Sequence, residues 1–443
     1  MRTRFRPPPR GLPPASLKIL RPMTQSLPIA IWVVSALTVF GVIFRPGNWP
    51  EWIFAVAGAV ILVVLGLLPW QEAAHGVEMG TDVYLFLAGM MLLAGTARRE
   101  GLFDYLAAFA ARSAKGSPQR LFLLVYLIGT LVTVFLSNDA TAVVLTPAVI
   151  AVARAAKVAS PLPYLLICAF VANAASFVLP ISNPANLVVF GSDMPALGEW
   201  LARFTLPSVL SILATFWLLR WTQRNDLVGT TDTNVAIPTL SLGGRIAAIG
   251  LVAAALVLLV SSAIGLELGP PTLVAGLLTA LAVTIGERSS PLPLIREVSW
   301  DTLALVAGLF VIVRALEVSG LQATLIDTLQ GPLNAAPDAG AFASGAALAF
   351  GTNLTNNLPL GLLAGAFTTA ADLPQKVVDA ILVGIDIGPN LSVTGSLATI
   401  LWLTALRRAN LDFGAMAFLR LGFVVMPPAL VLALLAVVYQ PWG

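Results

Sequence analysis

Leu136-Ser137-Asn138-Asp139-Ala140-Thr141 is the stretch whose reading decides the fold. An apolar run, Leu121 to Leu136, leads into it, and a second, Ala142 to Ala156 with Pro147 inside, leads away. A hydroxyl, an amide and a carboxylate therefore stand where hydrocarbon would be expected. Ionisable groups at such depth are tolerated where they face protein or a water-filled cavity, and irregular backbone survives there under the same condition. The expectation is a re-entrant hairpin with a polar tip.

The chain then repeats itself. Shifted by 219 residues, Asp82 falls on Asp301, Ala88-Gly89 on Ala307-Gly308, and Gly101-Leu102 on Gly320-Leu321. Thr133 falls on Thr352, Asn138 on Asn357 and Lys157 on Lys376, so Thr355-Asn356-Asn357-Leu358-Pro359 is a second copy of the tip. Further on, residue identities match at a shift of 204: Asn186-Leu187, Val189 and Gly191-Ser192 against Asn390-Leu391, Val393 and Gly395-Ser396. Two halves interrupted by polar residues at matching places are the sequence sign of a secondary transporter.

Composition agrees. The 443 residues are 58% hydrophobic and 11% charged, with a mean hydropathy of +0.90, which places the chain among polytopic membrane proteins. One cysteine, Cys168, and one histidine, His75, exclude a disulfide framework and any metal site built from several thiolates or imidazoles. No cofactor and no nucleic-acid partner is implied. His75 reads as a solvated residue of a short loop beside Glu72 and Glu78, and Cys168 as a small packed hydrophobe.

Residues 1–27, with Arg2, Arg4, Arg6, Arg10, Lys18 and Arg21 among prolines, read as a disordered basic tail, and Met23 offers an alternative start. A first transmembrane repeat is expected over 28–222, a polar linker over 223–242 and a second repeat over 243–443. Apolar segments near the roughly 20 residues of a spanning helix fall at Ile29–Phe44, Trp52–Pro69, Val83–Ala97, a broken Pro161–Leu201 and Phe204–Trp221. The second half matches them with Ile246–Ile264, Pro271–Ile285, Thr302–Val313, a broken Val377–Ala405 and Phe413–Tyr439. Amphipathic Leu102–Ala111 and Leu321–Leu329 are expected at the interface, and the hairpins occupy Leu121–Ala156 and Ala341–Ala371. With each hairpin returning to its own side, five spans per half make the repeat inverted. The fold class expected is an all-α polytopic protein of two inverted five-span repeats.

Basic residues set the orientation. Arg98, Arg99, Arg112, Lys115, Arg120, Arg154, Lys157, Arg220, Arg224, Arg245, Arg288, Arg296, Arg407 and Arg408 gather on one side, and Arg203, Arg314 and Lys376 on the other. The first hairpin is thus expected to enter from the cytoplasm and the second from outside. The basic tail then lies outside, against the rule, unless Met23 is the start.

Four interruptions converge on the middle: two tips and two mid-span breaks, marked by Pro184 and by Gly388-Pro389. Unwound helix ends offer backbone N–H and C=O groups to a solute. The side chains are amides and hydroxyls: Ser137, Asn138, Ser182, Asn183, Asn186, Asn356, Asn357, Asn390 and Ser392. Such groups donate and accept, which suits a neutral polyhydroxylated solute. Asp139 and Asp386 are the carboxylates of this core; because burial disfavours the charged form, they are the candidate proton carriers. Asn173 reads as an interhelical hydrogen-bonding residue.

The stretches S-N-D-A-T-A-V-V-L-T-P (137–147), I-S-N-P-A-N-L-V-V-F (181–190), T-N-N-L-P (355–359) and G-P-N-L-S-V-T-G-S-L-A-T (388–399) resemble the arsenite/antimonite efflux permeases (ArsB type) of the ion transporter superfamily. The resemblance runs from about residue 28 to the C-terminus. It implies export of undissociated arsenite or antimonite hydroxide in exchange for protons across the bacterial inner membrane, hence arsenical resistance, in some members beside a soluble ATPase. Asn173 stands where the family's fifth span is expected to carry an acid, so coupling would rest on Asp139 or Asp386. A sodium- or proton-coupled carboxylate, anion or silicic acid carrier of the same superfamily is the alternative. The unequal tips, Ser-Asn-Asp against Thr-Asn-Asn, favour a proton over sodium. An intramembrane aspartyl protease is a poor match, because Asp386 lies in Gly-Ile-Asp-Ile-Gly and the paired asparagines would have no purpose.

Overall fold

The computed structural model describes residues 26–296, 298–411 and 413–440; the expected tail and the Met23 start lie outside them. All regular structure among the described residues is helical. The first half contains α1 (Ser26–Phe44), α2 (Glu51–Val64), α3 (Trp70–Met79), α4 (Thr81–Arg99), α5 (Leu102–Ser113), α6 (Pro118–Phe135), α7 (Asn138–Ala140), α8 (Thr146–Ala155), α9 (Leu162–Ala174), α10 (Pro184–Phe190) and α11 (Leu197–Thr222). The second contains α12 (Leu242–Ala263), α13 (Gly269–Gly286), α14 (Leu292–Ile295), α15 (Trp300–Val318), α16 (Leu321–Ala335), α17 (Pro337–Thr355), α18 (Asn357–Ala370), α19 (Gln375–Ile387), α20 (Leu397–Arg408) and α21 (Ala415–Tyr439).

Six of these helices are long and apolar enough to cross a membrane, or eight if each bent helix pair counts as one span. Of the ten expected spans, the two broken segments and α2 fall short of that length, while α6, one of the six, is an arm of the first hairpin. His75 lies on α3, not in a loop, because α2 stops at Val64 and a new helix begins after Pro69; its side chain is exposed as expected. The amphipathic α5 buries Leu102, Phe103, Ala107 and Ala111 against protein, whereas α16 buries none of its residues.

The residues that repeat at 219 have physical reasons. Gly101 and Gly320 both adopt left-handed backbone (φ +74° and +86°) at the starts of α5 and α16, a conformation open to glycine at little cost. Gly89 of α4 lies against the backbone of Thr272 in α13, and Gly308 of α15 against that of Ala55 in α2. A side chain at either would hold two helices apart. The halves are thus interleaved: α4 packs on α13, α15 on α2, α10 on α18 and α11 on α21.

The broken segments follow a different shift from the one that residue identities indicate. Gln375–Ile387 stands 213 residues after Leu162–Ala174, and the short 3-10 turn Val393–Gly395 stands 213 after Pro180–Ser182. The register is therefore 213, not 204. Asn173 becomes the counterpart of Asp386, and Asn183 the counterpart of Ser396. The shift of 204 matched side-chain identities in a loop whose backbone is offset by nine positions.

Each hairpin is an open V. In the first, α6 lies along α9 while α8 lies along α5; in the second, α17 lies along α19 while α18 lies on α10 of the other half. The linker is strapped across the base of the first hairpin. Thr231 N donates to Gly116 O at 3.0 Å, Asp232 N to Ala156 O at 2.8 Å, and Lys157 pairs with Asp232 at 3.1 Å. The Asn234 N–H, then Lys157, hold the Asp232 carboxyl below its ordinary range.

Candidate functional site

Each interruption starts a helix, and at three of the four the residue that starts it is one singled out by the sequence. Ser137 Oγ accepts from Ala140 N at 3.2 Å, and Asn183 Oδ1 from Ala185 N at 3.0 Å. Asn356 Oδ1 accepts from Leu358 N at 3.3 Å, and Ser396 Oγ from Thr399 N at 3.2 Å. These are N-caps, which satisfy N–H groups that a helix cannot satisfy itself. Asn356 does so with φ at +71°, a region unfavourable to residues bearing a Cβ. Pro184 occupies the first position of α10, where its missing N–H costs nothing.

The two breaks bond to each other in a crossed pattern. Asn183, at the start of α10, donates Nδ2–H to Oδ1 of Asp386, at the end of α19, at 2.5 Å. Its counterpart Ser396, at the start of α20, donates to Oδ1 of Asn173, at the end of α9, at 3.4 Å. Asn173 Nδ2 also donates to Asn390 Oδ1 at 3.0 Å, and Asn390 Nδ2 to Phe170 O at 3.0 Å. Asn173 therefore forms the interhelical bond expected of it. Asp386 is fully buried, and its Oδ2 has no hydrogen-bond partner within geometric limits among the described residues.

Other candidates hold the breaks to their own hairpins. Ser182 Oγ donates to Val134 O at 3.0 Å, and Thr394 Oγ1 to Asn353 O at 2.9 Å, tying the break to the first hairpin arm in each half. Ser392 Oγ donates to Asn353 Oδ1 at 2.7 Å. Asn186 spends its amide protons on Ser176 O (2.9 Å), Leu179 O and Pro180 O, closing the loop of the break, while its Oδ1 has no partner among the described residues. Gly388 and Pro389 lie in the 3-10 turn after α19, Gly388 against the backbone of Ala349.

The tips do not open into one chamber. Ser137, half-buried Asp139 and Pro184 line a cavity of about 310 Å³, whose lining also includes Arg98, Arg296 and Arg408. Asn356 and Thr394 border a separate, much narrower cleft, and Leu397 borders both. Asn138 is buried, its Oδ1 accepting from Asp139 N at 2.8 Å; Asn357 is buried with no side-chain hydrogen bond among the described residues; neither lines either space. A third cavity, of about 780 Å³, carries Asp82, Glu267, Glu317 and Arg314.

Along α4 the acidic cavity takes Asp82 and Val83 and the basic one runs from Phe86 to Arg98, so that Asp82 and Arg98 stand about 24 Å apart at 1.5 Å per residue. Its counterpart α15 runs the other way, with Thr302 at the basic cavity and Arg314 and Glu317 at the acidic one. The helices beyond the breaks diverge too. From the break, α10 leads towards Gly191 at the acidic cavity, while α20 leads to Arg408 at the basic one.

Ser396, Asn353, Thr394 and Ser176 were not singled out from sequence. Ser396 had a signal, a serine opening the Leu-Ala-Thr helix start, but the shift of 204 paired it with Ser192 rather than Asn183.

Comparison with known proteins fits this architecture. The arsenical pump membrane protein of Escherichia coli is 26% identical over 421 residues, covering 91% of this chain and 96% of that protein. That of Yersinia enterocolitica is 28% identical over 354 residues, covering 76% and 81%. The solved YdaH transporter of Alcanivorax borkumensis shares the fold, with a TM-score of 0.57 at 17% identity over 84% of this chain and 89% of that one. Residues 30–385 match the CitMHS family, described as citrate transporter. The chain belongs to this family: it is a multi-pass membrane transporter of the ion-transporter type to which the arsenical pump proteins are similar.

Proposed function

We propose that the protein is a secondary exporter of trivalent metalloid hydroxides, arsenite and antimonite, driven by proton exchange across the bacterial inner membrane and conferring arsenical resistance. The observation that carries the reading is the crossed pair of bonds, Asn183 to Asp386 and Ser396 to Asn173, at the meeting of the two breaks. Around it are amides and hydroxyls, groups that match a neutral trihydroxy solute donor for acceptor. The one carboxylate of the pair has an oxygen that accepts no hydrogen bond within geometric limits among the described residues, a seat for a proton that leaves when the solute enters. Asp139, at the tip in the basic cavity, is the second proton-carrying candidate. Asn138, Asn357, Asn356, Ser137, Ser182 and Ser392 complete the substrate-facing set in a state where the tips approach one another. The names of the E. coli and Y. enterocolitica relatives support the substrate class.

Opposite running of α4 and α15, and of α10 and α20, supports an inverted repeat with the basic cavity on the cytoplasmic side. The acidic cavity then faces outside, where it gathers protons. A soluble ATPase partner would meet the basic face.

A second reading has its own observation. Arg98, Arg296 and Arg408 at one mouth, together with the family's description, favour a carboxylate carrier. The deciding experiment is arsenite uptake into everted vesicles under an imposed pH gradient, with and without sodium. Uptake that collapses with a protonophore and ignores sodium supports the exporter. No arsenite movement, or a strict sodium requirement, returns the protein to the wider superfamily.

A further inference from the structure

The acidic and basic cavities come within one helical turn of each other, and they do so on two helices at once. On α4 the acidic cavity takes Val83 and the basic cavity begins at Phe86. On α10 the basic cavity takes Pro184 and the acidic one begins at Leu187. Three residues of helix rise only about 4.5 Å, and α4 and α10 pack against each other. The order is reversed between the two helices, so Phe86 stands on the side of Pro184 and Val83 on the side of Leu187. All four side chains are apolar and buried, Phe86 to 0% exposure. By contrast, Arg296 and Arg408 on the basic cavity and Glu267 on the acidic one are exposed. Phe86 is the only aromatic residue among the described residues that line the basic cavity.

We infer that this thin layer is the barrier between the two aqueous spaces and that Phe86 is its plug, the residue whose ring keeps the pathway closed to water and protons. The hydrocarbon core of a bilayer is about 30 Å thick. Where two cavities enter it from opposite sides, the seal falls to whatever separates them, here one turn of α4 against one turn of α10. An apolar constriction of this kind closes by excluding water and needs no charged gate. A proton finds no polar side chain to step on between Phe86 and Val83 or between Pro184 and Leu187, and Pro184 lacks a backbone N–H as well. Asp139 lines the basic cavity together with Phe86 and Pro184, so it stands on one side of the layer only. Without the plug, a pH gradient would dissipate through the protein rather than drive transport. The inference rests on the proposed function for one point, that the two cavities are opposite mouths of one transport pathway; the identity of the solute does not enter it.

The test is passive proton leak, measured without any solute. Purified full-length protein is reconstituted in liposomes that enclose a pH-sensitive dye, with potassium and valinomycin clamping the membrane potential, and the external pH is stepped. Phe86→Ala is expected to speed pH equilibration on the order of tenfold over the wild type, because water then bridges the constriction. Phe86→Leu, which keeps part of the bulk, should leak less than Phe86→Ala but more than the wild type. Leu401→Ala shortens another apolar residue of the same cavity and should match the wild type. Gel filtration and thermal melting show which variants are folded. A merely structural role for the ring would lower the melting temperature without opening the leak. A folded Phe86→Ala as tight as the wild type, or an equal leak in Leu401→Ala, overturns the plug. If Phe86→Ala does not fold, Phe86→Leu decides in its place, and wild-type tightness there overturns it. If the wild type moves no arsenite into everted vesicles, the exporter reading fails while the leak result stands.

Discussion

Asn183 has two tasks, and each of its amide atoms performs one. Its Oδ1 caps α10 and its Nδ2 holds the carboxylate of the opposite break. Replacing it with alanine takes from buried Asp386 the Asn183 amide donor, and removing one partner of a buried polar group costs roughly 1–3 kcal/mol, more for a charged one. Asn183→Ala is therefore expected to lower thermal stability in detergent, and Asn183→Ala/Asp386→Ala to lower it less than the sum of the two single changes. Asp386→Asn keeps a hydrogen-bonding side chain of the same shape but removes the titrating site. It should unfold close to the wild type yet lose uptake driven by a pH gradient; undiminished gradient-driven uptake would remove Asp386 from coupling. The same comparison with Asp139→Asn tests the tip carboxylate.

Several of the most extensive helix pairs join different halves, among them α4 with α13 and α15 with α2, and their contact points are specific. Gly308 of α15 lies against the backbone of Ala55, so Gly308→Ala forces α15 and α2 apart. Overpacking of this kind costs typically 1–3 kcal/mol, and a matching loss is expected for Gly89→Ala at the α4–α13 crossing. Wild-type melting of either variant would show that these helices tolerate separation. Between α11 and α19, Arg203 forms a buried ion pair with Asp379, flanked by Glu199 and Gln375 and by the rings of Phe190 and Phe204. Removing one member of a buried pair costs about 3–5 kcal/mol, whereas replacing both with apolar groups is often neutral. Asp379→Leu should be strongly destabilising, and Arg203→Met/Asp379→Leu should recover much of the loss; a double variant worse than either single change would contradict this.

At the scale of the molecule the two cavities differ in sign: three arginines and Asp139 at one end, three carboxylates and Arg314 at the other. Cys168 is fully buried, so the native chain gives little background to an impermeant thiol reagent. Ser299→Cys, at the basic cavity, is expected to be labelled only from the cytoplasmic face, and Glu267→Cys, at the acidic one, only from outside. Labelling of both from one face would end the proposed orientation.

Much of this was legible in the chain itself. Hydropathy, the polar interruption at Ser137-Asn138-Asp139 and its copy at Asn356-Asn357 were sufficient for an all-helical membrane transporter in two related halves. Such features are local: a residue either suits hydrocarbon or does not, and a helix start needs its cap wherever the helix goes. The glycine pairs could be found as repeats, but their reason, close approach to helices of the other half, could not. Sequence also misplaced the second register, because identities in a loop need not follow its backbone. What only the tertiary structure decided was which candidate faces which. Asn186 and Asn390 spend their amide protons on backbone carbonyls, while Asn183 reaches Asp386 and Ser396 reaches Asn173. Three arginines line one cavity although they lie up to 310 positions apart, Arg98 to Arg408. Contacts between such distant residues depend on how helices cross, and crossing angles and depths are set by the packing of whole surfaces rather than by any one stretch of chain.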